Sequence, residues 1–152
     1  MKLRFNIAII FLLIFTSCSL DSNDSLVSDV QNNTIIEWHL TNVSGGIAGV
    51  DINYDVDTII WIFNVDFNGS GTLSVDNNND QNDLEDGLNT GEYAVFVAEY
   101  DGQPILFLDG DEYAGFSYPN ANTLEINHNV HSTGVVGSDG YIFTFQRRVV
   151  DN

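Results

Sequence analysis

From Thr34 onward the chain is built of short runs in which apolar and polar side chains alternate, separated by turn residues. Ile36, Trp38 and Leu40 share one face of Thr34 to Leu40, and Val50, Ile52 and Tyr54 alternate with Asp51, Asn53 and Asp55. This period of two predicts half-buried β-strands. Thr58 to Val65 is nearly all apolar and reads as a strand covered on both sides or a heavily buried one. Gly71 to Val75, Glu92 to Tyr100, Ile105 to Leu108, Glu112 to Ser117, Thr123 to Asn127 and Tyr141 to Gln146 complete nine predicted strands. No segment sustains a 3.6-residue apolar repeat, and only Asp83 to Leu88 could hold a helical turn. Asp101-Gly102 and Asp139-Gly140 are tight-turn signals, because Gly tolerates positive φ and Asp can bond its own backbone. Connections this short favour antiparallel neighbours. The predicted fold is therefore all-β, an antiparallel up-and-down meander closing into an eight- or nine-stranded barrel, with a two-sheet sandwich as the alternative.

The first 33 residues follow different rules. Lys2 and Arg4 precede an apolar run from Ile7 to Phe15, which is too short to span a hydrocarbon core of about 20 residues and reads as a secretory signal over residues 1–17. Thr16 and Ser17 lead into Cys18, and Phe15-Thr16-Ser17-Cys18 resembles the lipobox of bacterial lipoproteins. That resemblance implies cleavage before Cys18, acylation of its thiol and anchorage to the outer membrane. Cys18 is the chain's single cysteine, so no intramolecular disulfide can form, and lipidation accounts for an otherwise unpaired exported thiol. Residues 18–33, rich in Ser, Asp and Asn, are expected to form a flexible tether. Asp21 and Asp24 loosely resemble the acidic signal that carries some Bacteroidetes lipoproteins to the cell surface.

Residues 34–152 carry a second resemblance. A first-strand Trp (Ile36, Glu37, Trp38), the Gly45-Gly46 turn and a closing aromatic strand that runs into Arg147 look like the lipocalin-like domains of small Bacteroidetes lipoproteins. The resemblance implies that Trp38 packs under Arg147 or Arg148 and closes one end of the barrel, where a guanidinium over an indole face contributes about 0.5 to 2 kcal/mol. It also implies non-catalytic binding of a small apolar ligand inside the barrel, with Trp61, Phe63, Tyr93 and Phe143 as the expected lining. A surface module that meets glycan or protein through its loops, around a filled barrel, is the alternative. A small hydrolase is the remote third.

Charge narrows the partners. The chain carries 22 acidic and four basic side chains, and removal of residues 1–17 leaves Arg147 and Arg148 as the only fixed cations. Such a domain lacks the basic patch that nucleic acid requires, so the expected partners are the membrane, through acylated Cys18, and a small apolar ligand, bound by a monomer. No cofactor is expected. Asp76 to Gly87 holds five carboxylates, with Asp76, Asn78 and Asp80 spaced as the first ligands of a calcium loop. Gln81 and Gly87 break the rest of that pattern, so a solvated acidic loop is expected, with no metal. His128 and His131 are expected to be exposed loop residues, joined by His39 only if the first and last strands meet. No nucleophile elbow or phosphate loop is present, and no enzymatic activity is expected.

Overall fold

The computed structural model describes residues 34–80 and 84–151. The expected signal sequence, Cys18 and the expected tether lie outside the described residues. The nine strands are β1 (Thr34–Gly45), β2 (Val50–Asn53), β3 (Ile59–Val65), β4 (Ser70–Asn77), β5 (Gly91–Tyr100), β6 (Gln103–Leu108), β7 (Asp111–Asn120), β8 (Thr123–Asn127) and β9 (Tyr141–Asp151). The only helical element among the described residues is a 3-10 turn at Leu84–Asp86, inside the segment where the sequence allowed one. Neighbouring strands pair in chain order from β3 to β9, all antiparallel, and β1 pairs with both β3 and β9. The sheet thus closes into an eight-stranded barrel, not a sandwich. β2 is the extra strand: it covers Asn42 to Gly45 on the same side of β1 where β3 covers Trp38 and His39.

Strand alternation sorts the side chains. Trp38, Leu40, Ile59, Trp61, Leu73, Val75, Val95, Leu106, Leu124, Ile126, Phe143 and Phe145 are buried in one cluster, which is the barrel interior. Ile60 and Ile62 of β3 keep partial exposure, so the apolar run has an inner and an outer face instead of being sealed on both. Asp101 and Gly102 both have positive φ (49° and 78°), as do Asp109 and Gly110 (53° and 94°), the signature of two-residue turns matched to strand twist. Asp139-Gly140 does not form such a turn; it ends the long loop 128–140 and starts β9. Its glycine is required by close approach, since a Cβ there would lie 2.8 Å from the His128 backbone carbon. Gly45 faces the same spot, its missing Cβ 2.7 Å from the Gly140 carbonyl oxygen.

Register along β1 and β9 runs from Thr34 opposite Asp151 to Gly45 opposite Tyr141, interrupted once between Leu40 and Asn42. The extra residue, Thr41, donates its hydroxyl to the Thr144 carbonyl at 3.0 Å and accepts the Tyr54 amide at 3.0 Å. A bulge at this point lets β1 bend from β3 toward β2 while holding β9 throughout. Phe145 sits in the middle of this closure, 1% exposed, with its ring centroid 4.8 Å from that of Trp61. Phe145→Ala is expected to destabilise the protein by about 3–5 kcal/mol through lost burial and the cavity left behind, measured by urea unfolding with an unchanged m-value.

Candidate functional site

The barrel has two unlike ends. At the end where β1 begins and β9 finishes, Trp38 lies directly across from Arg147. The alternation Phe143, Phe145, Arg147 directs Arg147 toward the same inner face. Tyr118 adds its ring 5.5 Å from that of Trp38. Arg148 points outward and bonds the Asp57 carboxylate at 3.1 Å. From Trp38 a continuous chain of rings runs up the interior. Tyr118 meets Phe116 at 5.2 Å, Phe116 meets Phe63 at 5.7 Å, and Phe63 meets Trp61 at 6.2 Å. Trp61 meets Tyr113 at 6.4 Å, Tyr113 meets His128 at 4.8 Å, and His128 meets Phe143 at 5.1 Å, with Tyr141 last at 6.2 Å from Phe143.

Of the four expected lining residues, Trp61, Tyr93 and Phe143 belong to the upper part of this chain's surroundings, while Phe63 is packed nearer the closed end against Phe116. All four contribute to the core cluster. The lower interior is filled: Leu40, Leu73, Leu106, Leu124 and Phe145 are sealed from solvent. The upper rings Tyr93, Tyr113, His128 and Tyr141 are half-buried around fully buried Trp61 and Phe143, as Phe63 and Phe116 are lower down, but they bring three hydroxyls and an imidazole to one end.

The acidic loop caps this upper end. Asn77 ties its base, donating to the Leu88 carbonyl at 3.0 Å and accepting, through its backbone carbonyl, the Thr90 hydroxyl at 3.0 Å. Leu88 packs on the core, and Gly87 lies so close to Phe143 that a Cβ would stand 3.3 Å from the ring. Tyr141 donates its hydroxyl to Glu85 at 3.1 Å, and Tyr93 donates to the Asn89 carbonyl at 2.9 Å. Asp86 is buried beside Asn79, which donates to it at 3.3 Å. The loop expected to be fully solvated is therefore in part a lid element packed on the barrel. Among the described residues no group of three His, Cys, Asp or Glu side chains is placed to hold a metal ion.

Electrostatics at the ring-lined end follow from burial. Desolvation, and then the neighbouring Tyr93, push the Tyr113 phenol far above its ordinary value, so it stays protonated at any physiological pH. Desolvation, with a smaller contribution from His131, holds the His128 imidazole below its usual range. Two buried ring nitrogens here, Nε1 of Trp61 and Nε2 of His128, have no hydrogen-bond partner. Interior polar groups in folded proteins are paired almost without exception, which makes two orphans flanking one tyrosine ring notable.

The remaining polar groups lie outside the barrel. His131 and Ser132 both bond Glu112, His131 at 3.1 Å, which staples the 128–140 loop to β7 and holds the Glu112 carboxyl below its ordinary range, chiefly through the Ser132 bonds. Serine and histidine converge on the carboxylate rather than on each other, so no nucleophile relay is formed. The third histidine does not join the other two. His39 faces outward from β1 yet is 1% exposed, with Nε2 3.0 Å from Glu37 and Nδ1 3.1 Å from Asp57. The Asp57 oxygen lies off the N–H direction, making that contact electrostatic rather than a hydrogen bond. Clefts among the described residues include one of about 390 Å³ where β1 and β3 diverge, lined by Ile35, Ile36, Ile62 and inward-facing Phe63, and one of about 330 Å³ beside Val130, His131 and Val136.

Two residues of the ring-lined end escape the sequence-based expectation. His128, expected to be exposed, turns inward; the alternation Leu124, Ile126, His128 carries the signal, since β8's inner face simply continues past its last paired residue. Tyr113 faces inward next to Ala114 because of a register shift at Leu106 and Phe107, which no sequence pattern marks. No protein-family profile, curated protein or solved structure matches this chain. The depressed imidazole gives a measurable sign. Below about pH 6.5 the unfolded chain takes up the His128 proton more readily than the folded one, so this residue lowers stability as pH falls through that range. His128→Phe is expected to flatten the stability profile between roughly pH 7 and 5 relative to wild type, measured by urea unfolding at each pH.

Proposed function

We propose that this protein is a lipid-anchored envelope lipoprotein whose barrel binds a small apolar ligand without catalysis. The observation that carries this reading is the asymmetry of the barrel interior. One end is edged by Trp38, exposed Tyr118 and Arg147, and the other gathers the hydroxyls of Tyr93, Tyr113 and Tyr141 and the His128 imidazole around Trp61 and Phe143. Small-molecule sites in barrels sit in such mouths, mostly apolar with a few convergent polar groups. The filled lower interior limits the ligand to a small one. Trp61, Tyr93 and Phe143 serve as its contacts, with Phe63 beneath them as floor. Trp38 and Arg147 are proposed as the closing pair, in keeping with a lipocalin-like plan.

Anchorage through Cys18 agrees with this layout, because Thr34, where the described domain begins, lies at the Trp38 end. The outer membrane, at its cell-surface or periplasmic face, is proposed from the lipobox-like Cys18 motif together with the family resemblance.

A surface role for the outer wall has one observation in its favour: Phe96 and Phe107 stack at 4.4 Å on the outside of β5 and β6, with Tyr100 at 6.0 Å from Phe107. Native mass spectrometry of the purified protein separates the two readings. A small molecule bound with one-to-one stoichiometry and reduced by Trp61→Ala is the expected result, and a ligand-free spectrum across preparations would remove the interior site. Incorporation of labelled fatty acid into wild type and not into Cys18→Ala is the expected outcome for the anchor, and equal labelling would refute it.

A further inference from the structure

We infer that the cleft where β1 and β3 diverge receives an extended peptide segment, apolar on one face and cationic on the other, which adds to the open edge of β3 as a further strand. The inference does not depend on the interior site.

β1 and β3 pair only at Trp38 opposite Trp61 and His39 opposite Ile60. Continued in that register, Ile36 would lie opposite Phe63 and Ile35 opposite Asn64. The strands part there instead, leaving the cleft of about 390 Å³ lined by Thr34, Ile35, Ile36, Ile62, Phe63 and Asn64. Alternation along each wall gives the direction of its backbone groups. Asp66 donates its amide to Ser70 across the β3–β4 hairpin, and a Cβ on Gly71 would overlap the Asn64 carbonyl. Ile62 and Asn64 therefore turn their polar groups to β4, and Phe63 and Val65 turn theirs to the cleft. On the other wall Arg147 donates its amide to Asn122, away from β1, so Trp38 opposite it, and Ile36 in step with Trp38, turn theirs toward β3. Among the described residues the main-chain groups of Ile36, Phe63 and Val65 meet no strand partner on this side.

Both walls are held from behind. β1 is laddered to β9 from Thr34 to Gly45, and β3 to β4 from Ile59 to Val65. The cleft is thus preformed, and an arriving strand meets chiefly the ordering cost of its own chain. Main-chain edges on the two sides select an extended peptide over a small apolar molecule, which would cover amides and carbonyls without bonding them. Inward-facing Ile36 (40% exposed) and Val65 (43% exposed), with half-buried Phe63, offer apolar contact to every second side chain of such a strand.

Charge selects among peptides. Around the cleft stand Glu37 next to Ile36, Asp66 next to Val65, Asp151 opposite Thr34 and Asp57 beside His39. Arg147 and Arg148 are the only fixed cations among the described residues, and Arg148 is already tied to Asp57. Outward side chains of an added strand are therefore favoured as Lys or Arg. The same excess of carboxylates, 22 acidic against four basic side chains in the chain, opposes a second copy of this protein at the edge.

Three capped hexapeptides test this on the purified protein by nuclear magnetic resonance titration: one alternating Val and Lys, one alternating Val and Glu, and the Val–Lys peptide N-methylated at its Val residues. An antiparallel residue opposite Phe63 shares its inward face and turns its amide back to β3, so the inward Val residues are the donors that methylation removes. The Val–Lys peptide is expected to shift the amide signals of Ile36, Phe63 and Val65 and to bind about tenfold more tightly than the Val–Glu peptide. N-methylation is expected to weaken it about tenfold. Val65→Pro, which removes an amide that makes no bond to β4, should weaken it about fivefold. Equal affinity for the methylated peptide or for the Val–Glu peptide, signal shifts confined to other residues, or no binding at all would overturn the inference. A wild-type dimer that Val65→Pro dissociates would overturn it in favour of a second copy. The peptide comparisons on wild type decide the matter even if the variant does not fold.

Discussion

The pairing of the first strand with the last holds this molecule in its shape. β1 and β9 are joined from Thr34 opposite Asp151 to Gly45 opposite Tyr141, and without that seam the remaining strands would form an open sheet with a long, apolar inner face in water. Closure explains features that otherwise look unrelated. Gly45 and Gly140 are small because the two strand ends touch there, and Thr41 is bulged so that β1 can follow the barrel curve without releasing β9. The contact joins residues more than a hundred positions apart. Its loop-closure entropy must be met before the interior can form, which places the protein among slow-folding, non-local topologies.

Within that closed wall the interior is divided between two tasks. The middle is packed as an ordinary core, where aliphatic side chains and Phe145 exclude solvent, while at the Thr34 end Trp38 is flanked by exposed Tyr118. Toward the other end the rings remain but hydroxyl, imidazole and indole nitrogens enter among them, and two of those nitrogens are left unbonded. Their concentration at one end, under a cap that packs Gly87 and Leu88 against the rings, is the molecular asymmetry from which the functional reading is drawn.

Most of the architecture is legible in the sequence because a period of two survives in almost every strand. All nine expected strands are present, β1 and β9 running longer than their apolar patterns because polar residues such as Asn42, Ser44 and Arg148 keep pairing after alternation fades. Tight turns at Asp101-Gly102 are equally visible, whereas Asp139-Gly140 shows that the same dipeptide can serve a close backbone contact instead. The site is less legible. Trp61, Tyr93 and Phe143 follow from alternation, but Tyr113 enters through a register shift, and His39 is buried by the turn carrying Asp57, whose φ of 76° folds it over β1. Such placements come from tertiary geometry, and a linear pattern has no means of recording them.

Both ends of the described chain leave the barrel at one place, Thr34 beside Asp151. Force applied along the chain at Thr34 therefore acts lengthwise on β1. Pulled that way, the strand cannot peel from β9 one bond at a time; the ladder that closes the barrel resists in shear, with its bonds loaded together. Any pull transmitted through the chain at Thr34 would thus meet this seam first, so the strand pair that completes the fold also makes it mechanically robust where the chain enters the barrel.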